Sequence, residues 1–173
     1  MKIIYCYEFK YEKLTVQVAS SDIGVVNVKI GFKSEGDFIK DIKGYTRDIE
    51  FHEDFKKNKD CINVLKAYLN GDNPEIDMPW DIRGTPFMYD VWENTCKIPY
   101  GETRSYSDIA LMAGRPKAAR AVGQALHRNQ LLIIIPCHRV VSVGGIGGFG
   151  SGINMKRYLL NIEGSFINFQ ARR

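Results

Sequence analysis

The run Pro136-Cys137-His138-Arg139-Val140 places a thiol, an imidazole and a guanidinium in direct succession, after the apolar stretch Leu131-Leu132-Ile133-Ile134-Ile135. A cysteine attacks as the thiolate, and a nearby cation or imidazole base lowers its pKa. His138 and Arg139 supply both kinds of neighbour. Adjacent side chains on an extended chain point to opposite faces, so a direct Cys137–His138 hydrogen bond is not expected if the apolar stretch is a strand that continues through them. A turn or a bridging water is then required. The plainer alternative is a buried cysteine followed by a surface histidine and a solvated arginine.

The other cysteines, Cys6, Cys61 and Cys96, are too widely spaced for a paired C-x-x-C signature and read as buried thiols. Nothing in the spacing of the cysteines with His52, His127 and His138 favours zinc, so neither metal nor cofactor is expected. The chain has 173 residues, 45% hydrophobic and 25% charged, enough to bury a core in one large domain or two small ones. Its start lacks the order of a signal peptide and no apolar run is long enough to span a bilayer, so a soluble cytoplasmic protein with no membrane contact is expected. Residues 1–80 carry 12 Lys and Arg against 14 Asp and Glu, whereas residues 81–173 carry 12 against 6. The positive excess therefore lies in the half that contains Cys137, which suits contact with a polyanion.

The elements that must position this cysteine divide in the same way. Leu14, Val16 and Val18 alternate, as do Val26, Val28 and Ile30, with Asp22 and Gly24 marking a turn between them. A strand near residues 3–9 completes a three-stranded antiparallel sheet. After irregular charged chain, Cys61, Val64, Leu65, Tyr68 and Leu69 recur at helical spacing and Gly71 stops the helix. Residues 71–80, with Pro74 and Pro79, read as a linker closing a sheet-plus-helix domain over residues 1–80.

Residues 81–173 read as a mainly helical domain, and the whole chain as α/β. Thr85-Pro86 is a cap followed by proline at the first helical position. Ser105 and Asp108 form a capping box that opens a helix ending at Gly114. A second helix starts near Pro116, and the pair reads as a helix-turn-helix. Ala118, Ala119 and Gly123 give that second helix a face with almost no bulk, while Lys117, Arg120 and Arg128 give it charge. A tight packing face and a helix entering a nucleic-acid groove both fit, the latter binding through phosphates with little sequence discrimination. A glycine-rich loop, residues 143–152, and a last helix ending near Gly164 complete the chain.

Taken together, P-C-H-R-V, G-E-T-R-S-Y-S-D-I-A, P-K-A-A-R-A-V-G-Q-A-L, Arg128-Asn129, the glycine loop and L-L-N-I-E-G occur in an order and spacing that resemble the O6-alkylguanine-DNA alkyltransferases, also called methylated-DNA–protein-cysteine methyltransferases. The resemblance covers residues 87–164 and is only architectural over residues 1–80. It implies direct DNA repair: a methyl or small alkyl group moves irreversibly from O6 of a flipped-out guanine, O4 of thymine being the other lesion to consider, to Cys137. The protein would be consumed in one turnover, as a monomer on double-stranded DNA, cytoplasmic and nucleoid-associated during repair in a prokaryote.

The resemblance also implies roles by residue. Glu163 orients His138, which activates Cys137 through a bridging water. Tyr106 donates toward N3 of the departing guanine, and Asn129 joins the recognition helix to the active-site strand. Arg120 takes the place of the extruded nucleotide, with Lys117 and Arg128 beside it and Ala118, Ala119 and Gly123 as the face laid in the minor groove. Val140, Phe149, Gly150 and Ser151 line the base pocket. Phe149 stands where several relatives have tyrosine, and Gly150-Ser151 departs from a usual serine-glycine order. Two other classes compete with repair: a cysteine hydrolase or transferase that turns over, and a nonenzymatic helix-turn-helix protein that binds lesions.

Overall fold

The alternating stretches form β1 (Lys2–Tyr11), β2 (Leu14–Ser20) and β3 (Val25–Gly31), paired antiparallel in sequence order. The structure, a computed structural model, describes residues 2–32, 38–43 and 48–165. A further strand, β4 (Ile49–Glu53), pairs parallel to β1, so the sheet has four strands in the order β3-β2-β1-β4 rather than the three expected. Its five residues, IEFHE, are too few and too polar to announce a strand. They gain their place because Ile49 and Phe51 pack against a core cluster of Ile4, Ala19, Val26, Phe38 and Ile42. Phe38 and Ile42 belong to the short helix α1 (Phe38–Lys43).

Helix α2 (Phe55–Leu69) packs on β1 and β2 with Cys61, Ile62, Leu65, Tyr68 and Leu69 buried. Burial of each such side chain is worth about 1.5–3 kcal/mol. Asp54 caps its start by accepting from the backbone N–H of Lys57 at 3.0 Å. The segment read as a linker is tied to the sheet at its end: the N–H of Val25 donates to Pro79 O and that of Asp81 to Val25 O, each at 2.9 Å. This close approach explains Gly24, where a Cβ would stand 2.3 Å from Pro79 O. Residues 1–83 and 130–132 form one compact unit, residues 84–129 and 133–173 a second. A contiguous domain over 81–173 was expected. Residues 130–132 join the first unit because Val28 donates to Gln130 O and accepts from the N–H of Leu132. Residues 166–173 of that expected domain lie outside the described residues.

Among the described residues the second unit is built on four helices, α3 (Pro86–Cys96), α4 (Tyr106–Met112), α5 (Ala119–His127) and α6 (Ile153–Ile162). Two-residue strands β5 (Arg104–Ser105) and β6 (Val140–Val141) pair in parallel. Thr85 and Ser105 cap α3 and α4 as the sequence indicates, with Ser105 and Asp108 each bonded to the other's backbone N–H. The second helix of the pair starts at Ala119, later than expected from Pro116, since Arg115 O and the N–H of Ala118 close a separate turn first. Trp92 of α3 is buried and donates its indole N–H to Ala125 O of α5 at 3.0 Å.

The apolar stretch 131–135 is not a continuous strand. Leu131 only bridges to Val28, and the chain then turns with Ile133 at φ 73°, a left-handed conformation that costs a β-branched residue about 1–2 kcal/mol. Residues Cys137–Arg139 form one turn of 3₁₀-helix. The predicted cost of Ser105→Ala is about 1 kcal/mol, because the N–H of Asp108 loses its cap at the start of α4. Urea denaturation is expected to show a lower midpoint with an unchanged slope.

Candidate active site

Cys137 opens the 3₁₀ turn, with Pro136 before it and the N–H of Arg139 bonded to Pro136 O at 2.9 Å. Its side chain is buried, and Sγ accepts from the Asn129 side-chain amide at 3.1 Å. The same amide group donates to Ile135 O at 2.9 Å. One side chain just beyond α5 therefore holds both the approach to the cysteine turn and the sulfur itself. Burial pushes the Cys137 thiol pKa up, while the Asn129 hydrogen bond and the charge of Lys156 pull against it. The resting sulfur is a thiol and needs a base.

The next residue in the turn carries an imidazole. His138 is fully buried, and its Nε2 lies 2.6 Å from Glu163 Oε1. Arg139, expected as a solvated residue in the plainer reading, is buried with it. Its Nε donates to Glu163 Oε2 at 2.9 Å, its Nη2 to Oε1 at 3.1 Å and its Nη1 to Ile98 O at 2.7 Å. The N–H of Gly101 completes the set on Oε2 at 3.1 Å. Burial alone would raise the Glu163 carboxyl, but hydrogen bonds and charge from His138 and Arg139 prevail and hold it at about 2. Burial keeps the His138 imidazole below its usual range despite Glu163. With His138 neutral, Arg139 is the standing cation against Glu163, and the histidine presents Nε2–H to the carboxylate.

A cleft of about 130 Å³ reaches Cys137, walled by Tyr106, Gly123, Leu126, His127, Gly148, Phe149 and Gly150. The expected pocket residues divide: Phe149 and Gly150 line it, but Val140 is fully buried and Ser151 is not part of the wall. Val140 faces the core, and what it offers is its carbonyl, which accepts from Lys156 Nζ at 2.6 Å. Tyr106 stands at the cleft with its hydroxyl 3.5 Å from Gly148 O. Gly123 is half-buried, and a Cβ there would touch the Tyr106 ring at 3.8 Å, so the small-residue face of α5 turns partly into the cleft. Lys117, Arg120 and Arg128 are exposed, Ala118 and Ala119 partly so. Arg139 was read as a cation beside the thiol, and the structure pairs it with Glu163 instead; Lys156, His127 and the carbonyl of Gly148 were not singled out by the sequence. The 7-residue separation of Lys156 from Glu163 was the available signal for one of them, since it is two helical turns. Among the described residues no group of three or more His, Cys, Asp or Glu could hold a metal ion.

Residues 86–165 match the family model described as the 6-O-methylguanine DNA methyltransferase DNA-binding domain. The chain is 42% identical over 128 residues to a methylated-DNA–protein-cysteine methyltransferase of Methanosarcina barkeri, covering 73% of this chain and 81% of that protein. It is 42% identical over 134 residues to the constitutive enzyme of the same description from Bacillus subtilis, covering 76% and 80%. Among solved structures, Mycobacterium tuberculosis OGT in complex with DNA matches with a TM-score of 0.76 at 34% identity, over 94% of this chain and 93% of that one.

The Glu163 carboxyl sets an expectation for acid stability. Its folded pKa is about 2 against an ordinary 4.5, so its contribution is complete above pH 4.5 and disappears as the pH falls through about 2. At about 1.4 kcal/mol per pH unit this is on the order of 3 kcal/mol. Denaturant titrations across that window are expected to show the loss in the wild type, while Glu163→Gln is less stable at neutral pH and loses less across the window, the rest coming from carboxylates such as Asp81 and Asp108 that are also held low.

Proposed function

The chain belongs to the methylated-DNA–protein-cysteine methyltransferase family, and from that premise we propose that it repairs O6-alkylguanine in duplex DNA by moving the alkyl group to Cys137, once per molecule. The observation that carries this reading is a buried thiol at the foot of a cleft, next to a histidine whose far nitrogen is fixed by an ionised carboxylate. That pairing leaves Nδ1 as the basic nitrogen on the side of the ring away from Glu163. In the proposed step the thiol proton passes to Nδ1 through a bridging water. Sγ forms a bond to the alkyl carbon, the bond from that carbon to O6 breaks, and its electron pair stays with the purine. Tyr106 donates toward N3 as negative charge grows there, and the net transfer of a proton from thiol to base is completed through solvent. Water does not displace the resulting thioether, so the acceptor is used once.

The alkylated base must leave the stack to meet the thiol, at a cost of a few kcal/mol that is smallest for a poorly paired lesion. Arg120, exposed on α5, is suited to fill the space left in the duplex, and Lys117 and Arg128 to hold phosphates. Ala118 and Ala119 give the helix the slim edge that a minor groove admits. Asn129 then has a positioning role: its amide bonds would keep the end of α5 and the sulfur in one geometry while DNA is bound. Contacts of this kind carry little sequence information, which suits a protein that must find lesions in any context.

Intact mass after incubation with a duplex containing O6-methylguanine is expected to rise by one methyl group, mapped to Cys137. The yield should stop at one equivalent and vanish in Cys137→Ala. Many turnovers on a small ester or amide would point to a cysteine hydrolase instead, and lesion removal by Cys137→Ala would eliminate alkyl transfer to this residue. Asn129→Ala should slow transfer tenfold or more, since it strips a donor from both Ile135 O and Sγ, groups worth about 1–3 kcal/mol each when left buried and unpaired. Single-turnover kinetics at saturating protein check this.

A further inference from the structure

Lys156 has no part in the reaction sequence above, yet among the described residues it is the one lysine with no exposed surface. Sealing an ammonium inside a domain is costly unless its partners compensate. Its observed partners are not carboxylates. Nζ donates to Val140 O at 2.6 Å and to Gly148 O at 3.0 Å, two neutral carbonyls. Burial pulls its pKa down to about 8, against the favourable charge of Cys137, and the group remains mostly an ammonium at neutral pH. A buried methionine would fill similar space without that cost. The two carbonyls have distinct places: Val140 begins β6, directly after the cysteine turn, and Gly148 belongs to the loop that walls the cleft with Phe149 and Gly150.

Within that loop the N–H of Gly152 bonds to Phe149 O at 3.0 Å, closing a turn on the far side of Gly148. Gly147 and Gly152 take φ of 73° and 89°, and Gly148 and Gly150 lie between them. Glycine gives a chain more backbone freedom than any other residue. Tyr106 reaches the same carbonyl, Gly148 O, from α4 at 3.5 Å, and Lys156 Nζ stands 6.0 Å from the Tyr106 ring. The cleft wall, the strand that leaves the cysteine and the tyrosine thus converge on one side chain of α6.

We propose that Lys156 is a positioning residue that tethers the glycine wall of the cleft to β6, so that the backbone of residues 148–150 is already in place when an extruded base arrives. The inference rests on the proposed alkyl transfer. It assigns Lys156 to holding the flipped nucleotide, and not to duplex binding or to the intrinsic reactivity of the thiol.

The test is Lys156→Met in the full chain, with four readouts: thermal melting, binding to undamaged duplex, iodoacetamide alkylation of Cys137, and single-turnover methyl transfer from an O6-methylguanine duplex at saturating protein. The limiting transfer rate is expected to fall tenfold or more, with duplex affinity and the iodoacetamide rate each within threefold of wild type. Transfer within twofold of wild type overturns the tether. So does a loss of equal size in transfer and iodoacetamide reactivity, which would place Lys156 in thiol activation. Lys156→Gln, a shorter neutral donor, is judged by the same criteria if the methionine variant does not fold. A wild-type protein that transfers no methyl group overturns the family reaction and the tether with it, whereas a transferring wild type with an indifferent variant overturns the tether alone.

Discussion

Everything near Cys137 is arranged around one carboxylate that has no exposure to water. Glu163 can remain ionised inside the second unit because Arg139, His138 and the Gly101 N–H surround both of its oxygens. A buried ion pair of this sort is weak evidence for net stability, since desolvating both charges costs about as much as their attraction returns. Its effect is geometric. Loss of any partner leaves a charge in a medium of low dielectric, so the alternatives to this one arrangement are steeply unfavourable. The end of α6, the 3₁₀ turn carrying the cysteine and the chain entering β5 are thereby fixed to each other.

The same constraint decides what His138 can do. With Nε2 held by a carboxylate that is ionised throughout the physiological range, the tautomer is fixed and the basic nitrogen is the other one. The thiol itself is not activated in advance: burial raises its pKa more than Asn129 and Lys156 lower it. A buried, protonated cysteine is a poor target for small oxidants and adventitious electrophiles. For the once-used acceptor proposed above, a sulfur that stays inert until a correctly placed alkyl group reaches it would be better suited than a standing thiolate.

The elements with local signatures were legible in the sequence. Thr85-Pro86, the Ser105–Asp108 box and the alternating apolar residues of β2 and β3 each state their conformation within a few residues, because capping and strand periodicity are short-range signals. What could not be read locally was structure fixed by distant partners. β4 is five residues of mixed character, made a strand by β1 and the Ile4 cluster. Ile133 carries none of the turn residues that usually accept φ 73°, yet it turns there within a stretch tied at one end to Val28 and at the other to the cysteine turn. Five consecutive aliphatic residues are too short a run to classify by period, and only the tertiary anchors show what conformation they take.

The site was legible to the same extent and for the same reason. Motif order brought Cys137, His138, Glu163, Asn129 and Tyr106 forward; Cys137 and Tyr106 line one cleft, Asn129 bonds the sulfur, and His138 and Glu163 are paired in the interior. It could not bring forward Lys156 or the burial of Arg139 against Glu163, because a charged residue is by default solvated and only the fold reveals the cavity that takes it in. Each has a definite task once buried. Arg139 balances a carboxylate, and Lys156 donates to the carbonyls of Val140 and Gly148. One cation is bonded to the carboxylate that holds His138, and the other to the carbonyls of Val140 and Gly148. The sulfur is therefore defined less by its neighbours in sequence than by α6, which carries Lys156 and ends at Glu163, two turns apart on one helix.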